Sequence, residues 1–270
     1  MSVSVVFGRG VCCLRSIQLG RQNPRNFLES LVSVRIHLPL HSSVTLPIVS
    51  AGMEGELFST SAANAGGAGP KSAISFSSGR RERVGDVDCF ELSPFSVLKL
   101  QKGDITTWFV DGSTDAIVNA ANEKMLGGGG VDGAIHQAAG PELKAACYEV
   151  PEVRPGIRCP TGEARITPAF QLPVSRVIHT VGPIYGACEK PEVLLSNAYR
   201  NSLKLAKENR IQYIAFPAIS CGVYRYPYDE ASKIAISAIK EFPNDFKEVH
   251  FVLFSDDIYR AWLETALELM

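Results

Sequence analysis

The 270-residue chain carries a formal net charge of −1, with 46% apolar and 20% charged residues. That balance is globular, the near-neutral charge excludes bulk electrostatic capture of nucleic acid, and no apolar run reaches the roughly 18–20 residues that span a bilayer. Seven cysteines without a CxxC pair match neither a disulfide scaffold nor a zinc ribbon.

Charge divides the chain near residue 53. Residues 1–53 hold five arginines (Arg9, Arg15, Arg21, Arg25, Arg35) and one acid, Glu29, a net of +4 against −5 for the remainder. An Arg- and Ser-bearing, acid-poor start is the composition of an organelle transit peptide, which would place the protein in a chloroplast or mitochondrion. The alternatives are a disordered tail or an upstream extension with Met53 as a second start, leaving the protein in cytoplasm or nucleus. Residues 54–89 are rich in Gly, Ser and Ala and read as a linker with little apolar surface to offset chain entropy. Residues 90–270 read as one globular domain.

Within that domain, 95–100 and 115–120 are expected strands. Residues 131–139 and 142–148 are expected helices, broken at Gly140-Pro141. Strands follow at 164–167 and 176–181, then a helix over 191–209, a short strand at 213–217, a helix over 229–239, a strand at 249–254 and a closing helix over 257–269. Apolar strands alternating with amphipathic helices predict a three-layer α/β/α domain around a mixed, largely parallel sheet. Ligands in such folds gather beyond the carboxyl ends of the strands.

Three loops carry the chemistry. Four consecutive glycines, Gly127 to Gly130, join an expected strand to an expected helix. Glycine lets backbone N–H groups approach an oxyanion, and the helix adds its positive end, so the loop suits a phosphate. A dinucleotide fingerprint is badly placed, with about eight residues between strand and glycines, and a P-loop lacks its Lys-Ser/Thr. A second strand–loop–helix turn, Pro217 to Arg225, offers further donors around Ser220 and Gly222 and an aromatic wall in Tyr224. In the third loop, Asp104 either accepts from an exocyclic amine or serves as a cap.

The segments GDIT (Gly103 to Thr106), DAIVNAAN (Asp115 to Asn122), GGGGVDGAIHQAAG (Gly127 to Gly140), TGEARIT (Thr161 to Thr167), RVIHTVGPIY (Arg176 to Tyr185) and FPAISCGVY (Phe216 to Tyr224) stand in one order. Together they resemble the macrodomain family of ADP-ribose-binding domains, and NAAN followed by GGGGVDG resembles its MacroD-type branch. That resemblance implies hydrolysis of ADP-ribose esters, on acidic side chains of ADP-ribosylated proteins or as O-acetyl-ADP-ribose. It further implies that Asp104, Ile105 and Phe254 meet adenine and that Asn122 binds the distal ribose. Gly129, Gly130, Val131 and Asp132 would form one phosphate and ribose loop. Ile219, Ser220, Cys221, Gly222, Val223 and Tyr224 would form the other. Cys221 and Arg225 depart from the branch's commoner Thr and Gly.

Asp132 is the expected general base and Asn122 its partner in fixing the ribose; the other role open to Asp132 is a helix N-cap. His136 and His179 are expected to pack or cap, and Cys221 has no legible base partner. No ligand spacing marks a required metal, and no cofactor or membrane partner is expected. The rival reading is a non-catalytic reader that only binds ADP-ribose or ADP-ribosylated proteins; a nicotinamide dehydrogenase is a third.

Overall fold

The computed structural model describes residues 81–270. The transit-peptide reading of 1–53 and most of the 54–89 linker lie outside the described residues. Eight strands form one sheet: β1 (Arg81–Val84), β2 (Val87–Ser93), β3 (Ser96–Lys102), β4 (Asp115–Ala120), β5 (Ala164–Pro168), β6 (Arg176–Thr180), β7 (Tyr213–Phe216) and β8 (Glu248–Leu253). The helices are α1 (Val131–Ala139), α2 (Pro141–Glu149), α3 (Pro191–Glu208), α4 (Tyr228–Ile239) and α5 (Asp256–Leu269), with a 3-10 turn at Ile105–Thr107.

The sheet order is β1-β2-β3-β8-β7-β4-β6-β5. Strands β3, β8, β7, β4 and β6 run parallel, while β1, β2 and β5 pair antiparallel at the edges. The expected mixed, largely parallel three-layer architecture is therefore present. Period-2 alternation sorts each strand's side chains between the two helix layers. Ala116 and Val118 face a core shared with Leu195, Tyr199, Ile236 and Trp262 of α3, α4 and α5. Ile117 faces the other core, with Ile135, Leu143 and Cys147 of α1 and α2.

The sheet begins earlier than the linker boundary at residue 89, because β1 and β2 form a hairpin. The polar run Arg81 to Asp88 hid this. Asp88 is fully buried and accepts from Arg81 Nη2 at 2.6 Å and from the Tyr259 hydroxyl of α5. Burial opposes its charge, but the bonds from Tyr259 and Arg81 outweigh that and hold it below the usual carboxylate range.

The predicted break at Gly140-Pro141 is real: Gly140 has φ 84° between α1 and α2, and Pro141 opens α2. From β4 the chain passes to β6 on one side and later to β7 on the other. The carboxyl end of β4 is thus a topological switch point. The loops after β3, β4, β6, β7 and β8 all emerge at that same edge, because those five strands are parallel.

Candidate functional site

The loop leaving β4 turns back on itself through hydrogen bonds. Met125 N donates to Asn122 O at 3.0 Å, and Asn122 Nδ2 donates to Gly127 O at 3.0 Å. Helix α1 then starts behind Gly130, whose φ of 64° and ψ of −138° suit glycine, and no side chain caps it. Its first N–H groups consequently have no intrahelical acceptor and face outward with the helix dipole.

Asp132 is not the cap. It lies inside α1, is 3% exposed, and its carboxyl turns toward the sheet. Asn119 Nδ2 donates to its Oδ1 at 2.7 Å. Asn122 Nδ2 stands 3.5 Å from its Oδ2, and His136 Nε2 is 3.5 Å from Oδ1. Burial pushes this carboxyl above the usual range, opposed by the Asn119 bond and by His136. Asn119 is held in turn: its Nδ2 is 3.1 Å from His179 Nδ1, and His179 Nε2 is 3.0 Å from Thr167 Oγ1. Burial pushes His179 down to about 3, so the ring is neutral. Because Asn119 donates to Nδ1, the ring proton sits on Nε2.

The second loop crosses the same edge. Cys221 N donates to Ala218 O, Arg225 N to Gly222 O and Tyr226 N to Ser220 O. The N–H groups of Gly222, Val223 and Tyr224 have no acceptor among the described residues. Ser220 sits at φ 66° with its Oγ buried, packed against the backbone after β6. A Cβ on Gly182 would stand 2.1 Å from that Oγ, so only glycine allows the β6 and β7 loops to meet. Burial raises Tyr224, with smaller contributions from Glu123 and Asp132, which places its phenol in their neighbourhood.

The predicted residues therefore assemble at one edge, in distinct states. Asn122, Gly129, Gly130, Val131 and Asp132 form one wall; Ser220, Cys221, Gly222, Val223 and Tyr224 form the other. Cys221 is buried, and burial pushes its thiol up to about 12, which removes any reading of it as an activated nucleophile. Asp104 accepts from Thr106 N at 2.9 Å and Thr106 Oγ1 at 2.7 Å through Oδ1. It caps the 3-10 turn, with Ile105 buried beside it. Phe254 follows β8 and is 87% exposed.

Two contributors escaped the sequence reading. Asn119 fixes Asp132, and its signal was a lone amide inside the apolar run Ile117-Val118. Glu123 Oε1 accepts from Thr161 N and Thr161 Oγ1, both at 3.1 Å, and so ties the 158–163 segment to the loop after β4. A separate cavity of about 450 Å³ lies beside β3 and β8, with Asp104 in its lining. Within it Lys99 pairs with Glu248 at 2.7 Å, His250 Nε2 lies 2.8 Å from Glu248 Oε2, and Trp108 Nε1 donates to His250 Nδ1 at 3.2 Å.

Comparison with known proteins identifies the family. The Macro domain family model matches residues 118–235. A macro domain-containing protein of Vibrio parahaemolyticus is 52% identical over 167 residues, which cover 62% of this chain and 95% of that protein. A Klebsiella pneumoniae protein named O-acetyl-ADP-ribose deacetylase is 51% identical over 168 residues, 60% of this chain and 93% of its own. The Oceanobacillus iheyensis macrodomain, solved with ADP, superposes with a TM-score of 0.61 at 44% identity, covering 70% of this chain and 95% of that one. The Trypanosoma brucei macrodomain in complex with ADP-ribose gives 0.54 at 38% identity, over 62% and 68%. The chain belongs to the macrodomain family.

Proposed function

We propose that this chain binds ADP-ribose and hydrolyses ADP-ribose esters, either O-acetyl-ADP-ribose or mono-ADP-ribose on acidic side chains of modified proteins. The observation that carries the reading is the Asp132 carboxyl. It is buried, raised in pKa and clamped by Asn119 beside Asn122, instead of capping its own helix.

The two amide-lined loops supply donors for a diphosphate. Asn122, able to donate and accept, holds the distal ribose. Asp132 takes a proton from the attacking water, a contribution of roughly 10²–10⁴ in rate. Its raised proton affinity makes it a better base than an exposed carboxylate once it is ionised. The water adds to the ester carbonyl, the ribose hydroxyl leaves, and the acid is released. Relatives in complex with ADP and ADP-ribose, and one named a deacetylase, support the ligand and the bond.

The test is release of ADP-ribose from a protein mono-ADP-ribosylated on Glu or Asp, and of acetate from O-acetyl-ADP-ribose. Binding without either release would leave only the reader function. Residues 1–53 are proposed as an organelle address, for which N-terminal sequencing of the mature protein is the check.

A further inference from the structure

We propose that His136, Cys147 and His179 form a binding site for a soft divalent transition metal, zinc(II) foremost, and that filling it switches the neighbouring Asp132 off. The second half rests on the hydrolase reading; the first does not.

The three donors come from three elements, α1, α2 and β6, so no sequence spacing announces them. Their donor atoms all lie within 4.8 Å of one another. Cys147 Sγ is 3.8 Å from His179 Nε2. Tetrahedral zinc, with Zn–S about 2.3 Å and Zn–N about 2.0–2.1 Å, separates such a pair by about 3.5 Å. A shift of a few tenths of an ångström suffices there. The His136 ring closes the remaining gap by turning about its own side-chain bonds. Two imidazoles and a thiolate select zinc over magnesium or calcium, which prefer oxygen. His136, whose side chain is 11% exposed beside Asp132, is the point of entry.

One buried polar atom argues that the cluster is built for a further group. Among the described residues His136 Nε2 has no hydrogen-bond partner and lies 3.5 Å from the Asp132 carboxyl. Filling the site gives it one. His136 Nε2 becomes a ligand. His179 must ligate through Nε2, which moves its proton to Nδ1 and gives up the 3.0 Å hydrogen bond to Thr167 Oγ1. A metal-bound histidine donates its other N–H to a carbonyl or carboxylate. Asn119, whose amide lies at that nitrogen, supplies Oδ1 by turning its amide over, which gives up the Nδ2 bond to Asp132 and moves Nδ2 to the position where Oδ1 now has no partner. The Cys147 thiol proton passes to solvent as the metal–sulfur bond forms, and no oxidant is needed.

The consequence reaches Asp132. The turned Asn119 no longer donates to Asp132 Oδ1, the bond now 2.7 Å long. The metal's charge next to the carboxyl then weakens it as a base or draws it into the open fourth position. Hydrolysis stops while the diphosphate loops are untouched.

The 270-residue chain, freed of metal, is titrated with cobalt(II) as the spectroscopic probe. The expected result is a thiolate-to-cobalt charge-transfer band saturating at one equivalent, bleached by zinc(II), and absent in Cys147→Ser and Cys147→Ala. Each variant is checked for folding by its thermal midpoint. His136→Asn, at the more exposed ligand, should weaken cobalt binding at least about tenfold, and so tests the site even if both Cys147 variants fail to fold. No band in the wild type, or a band that survives in the folded Cys147 variants, overturns the site. Zinc should lower ADP-ribose release in the wild type about tenfold or more and leave Cys147→Ser unaffected. Zinc that binds without slowing release overturns the switch alone. A wild type that releases nothing with or without zinc refutes the hydrolase reading, and the cobalt band then judges the metal site by itself.

Discussion

Asp132 shows how burial changes the proton affinity of an ordinary carboxylate. Desolvation raises its proton affinity, and Asn119 and His136 recover only part of the lost stabilisation of the charge. Replacing it by alanine should lower ADP-ribose release by roughly 10²–10⁴ and leave ADP-ribose affinity near that of the wild type, as calorimetry would show. The rate should rise with pH through the Asp132 ionisation, on a limb displaced above the usual carboxylate range; Asp132→Asn should lose that limb. The stability sign is opposite to that of a salt-bridged acid. With the folded pKa above the unfolded one, the folded state holds the proton more tightly, so stability falls as pH rises through that interval. Asp132→Asn should therefore have a higher urea midpoint than the wild type at neutral pH, with the gap shrinking as the solution is acidified. Equal midpoints at pH 7 would mean that the buried charge costs nothing.

At the scale of elements, the site depends on how closely loops approach. Gly182→Ala places a Cβ 2.1 Å from Ser220 Oγ and 2.6 Å from Ile219 Cγ2. The second loop must shift, and ADP-ribose affinity should fall about tenfold or more, measured by calorimetry. The connection into β4 depends on Asp115, fully buried, whose carboxylate accepts from Val110 N at 2.7 Å, Asp111 N at 3.0 Å and Gly112 N at 2.7 Å. Asp115→Ala orphans three N–H groups and should cost about 3 kcal/mol in urea unfolding, at about 1 kcal/mol or more each. A loss below about 1 kcal/mol would show that water replaces the carboxylate. The parallel strands and their helices were legible in the sequence because each is an apolar run flanked by loop residues; β4 and α1 fall at the residues expected. The β1–β2 hairpin was not legible. Its charged residues look like linker until Arg81 and Tyr259 are seen around Asp88, and Tyr259 is 171 residues away.

Across the whole molecule, buried histidines tie stability to pH. His179 is pushed down to about 3 by burial. His250 is lowered by burial against the pull of Glu248, and His136 by burial against that of Asp132. Each is neutral when folded and takes up a proton near pH 6.5 when unfolded, so stability is present above that value and is lost as pH falls below it. In Asp132→Asn, which removes the carboxyl whose titration has the opposite sign, the urea midpoint should drop between pH 7 and pH 5, and the drop should be smaller when His179→Gln is added. A flat profile of Asp132→Asn over that range would refute neutral burial.

The sequence by itself determined the alternation of strands and helices, the two glycine-bearing loops and the macrodomain resemblance, and it singled out Asp132 and Asn122 as candidates. Those are local properties: side-chain period, backbone freedom at glycine and motif order all act within a few residues. Only the tertiary structure decided that Asp132 faces the sheet instead of capping α1, that Cys221 is buried with its thiol pushed up, that Asp104 caps a turn, and that Asn119 and His179 stand behind the carboxyl. Asn119 and His179 are partners across parallel strands, 60 residues apart along the chain. Proton affinity follows from what surrounds a group in three dimensions, and strand pairing over that distance has no signature in residue order.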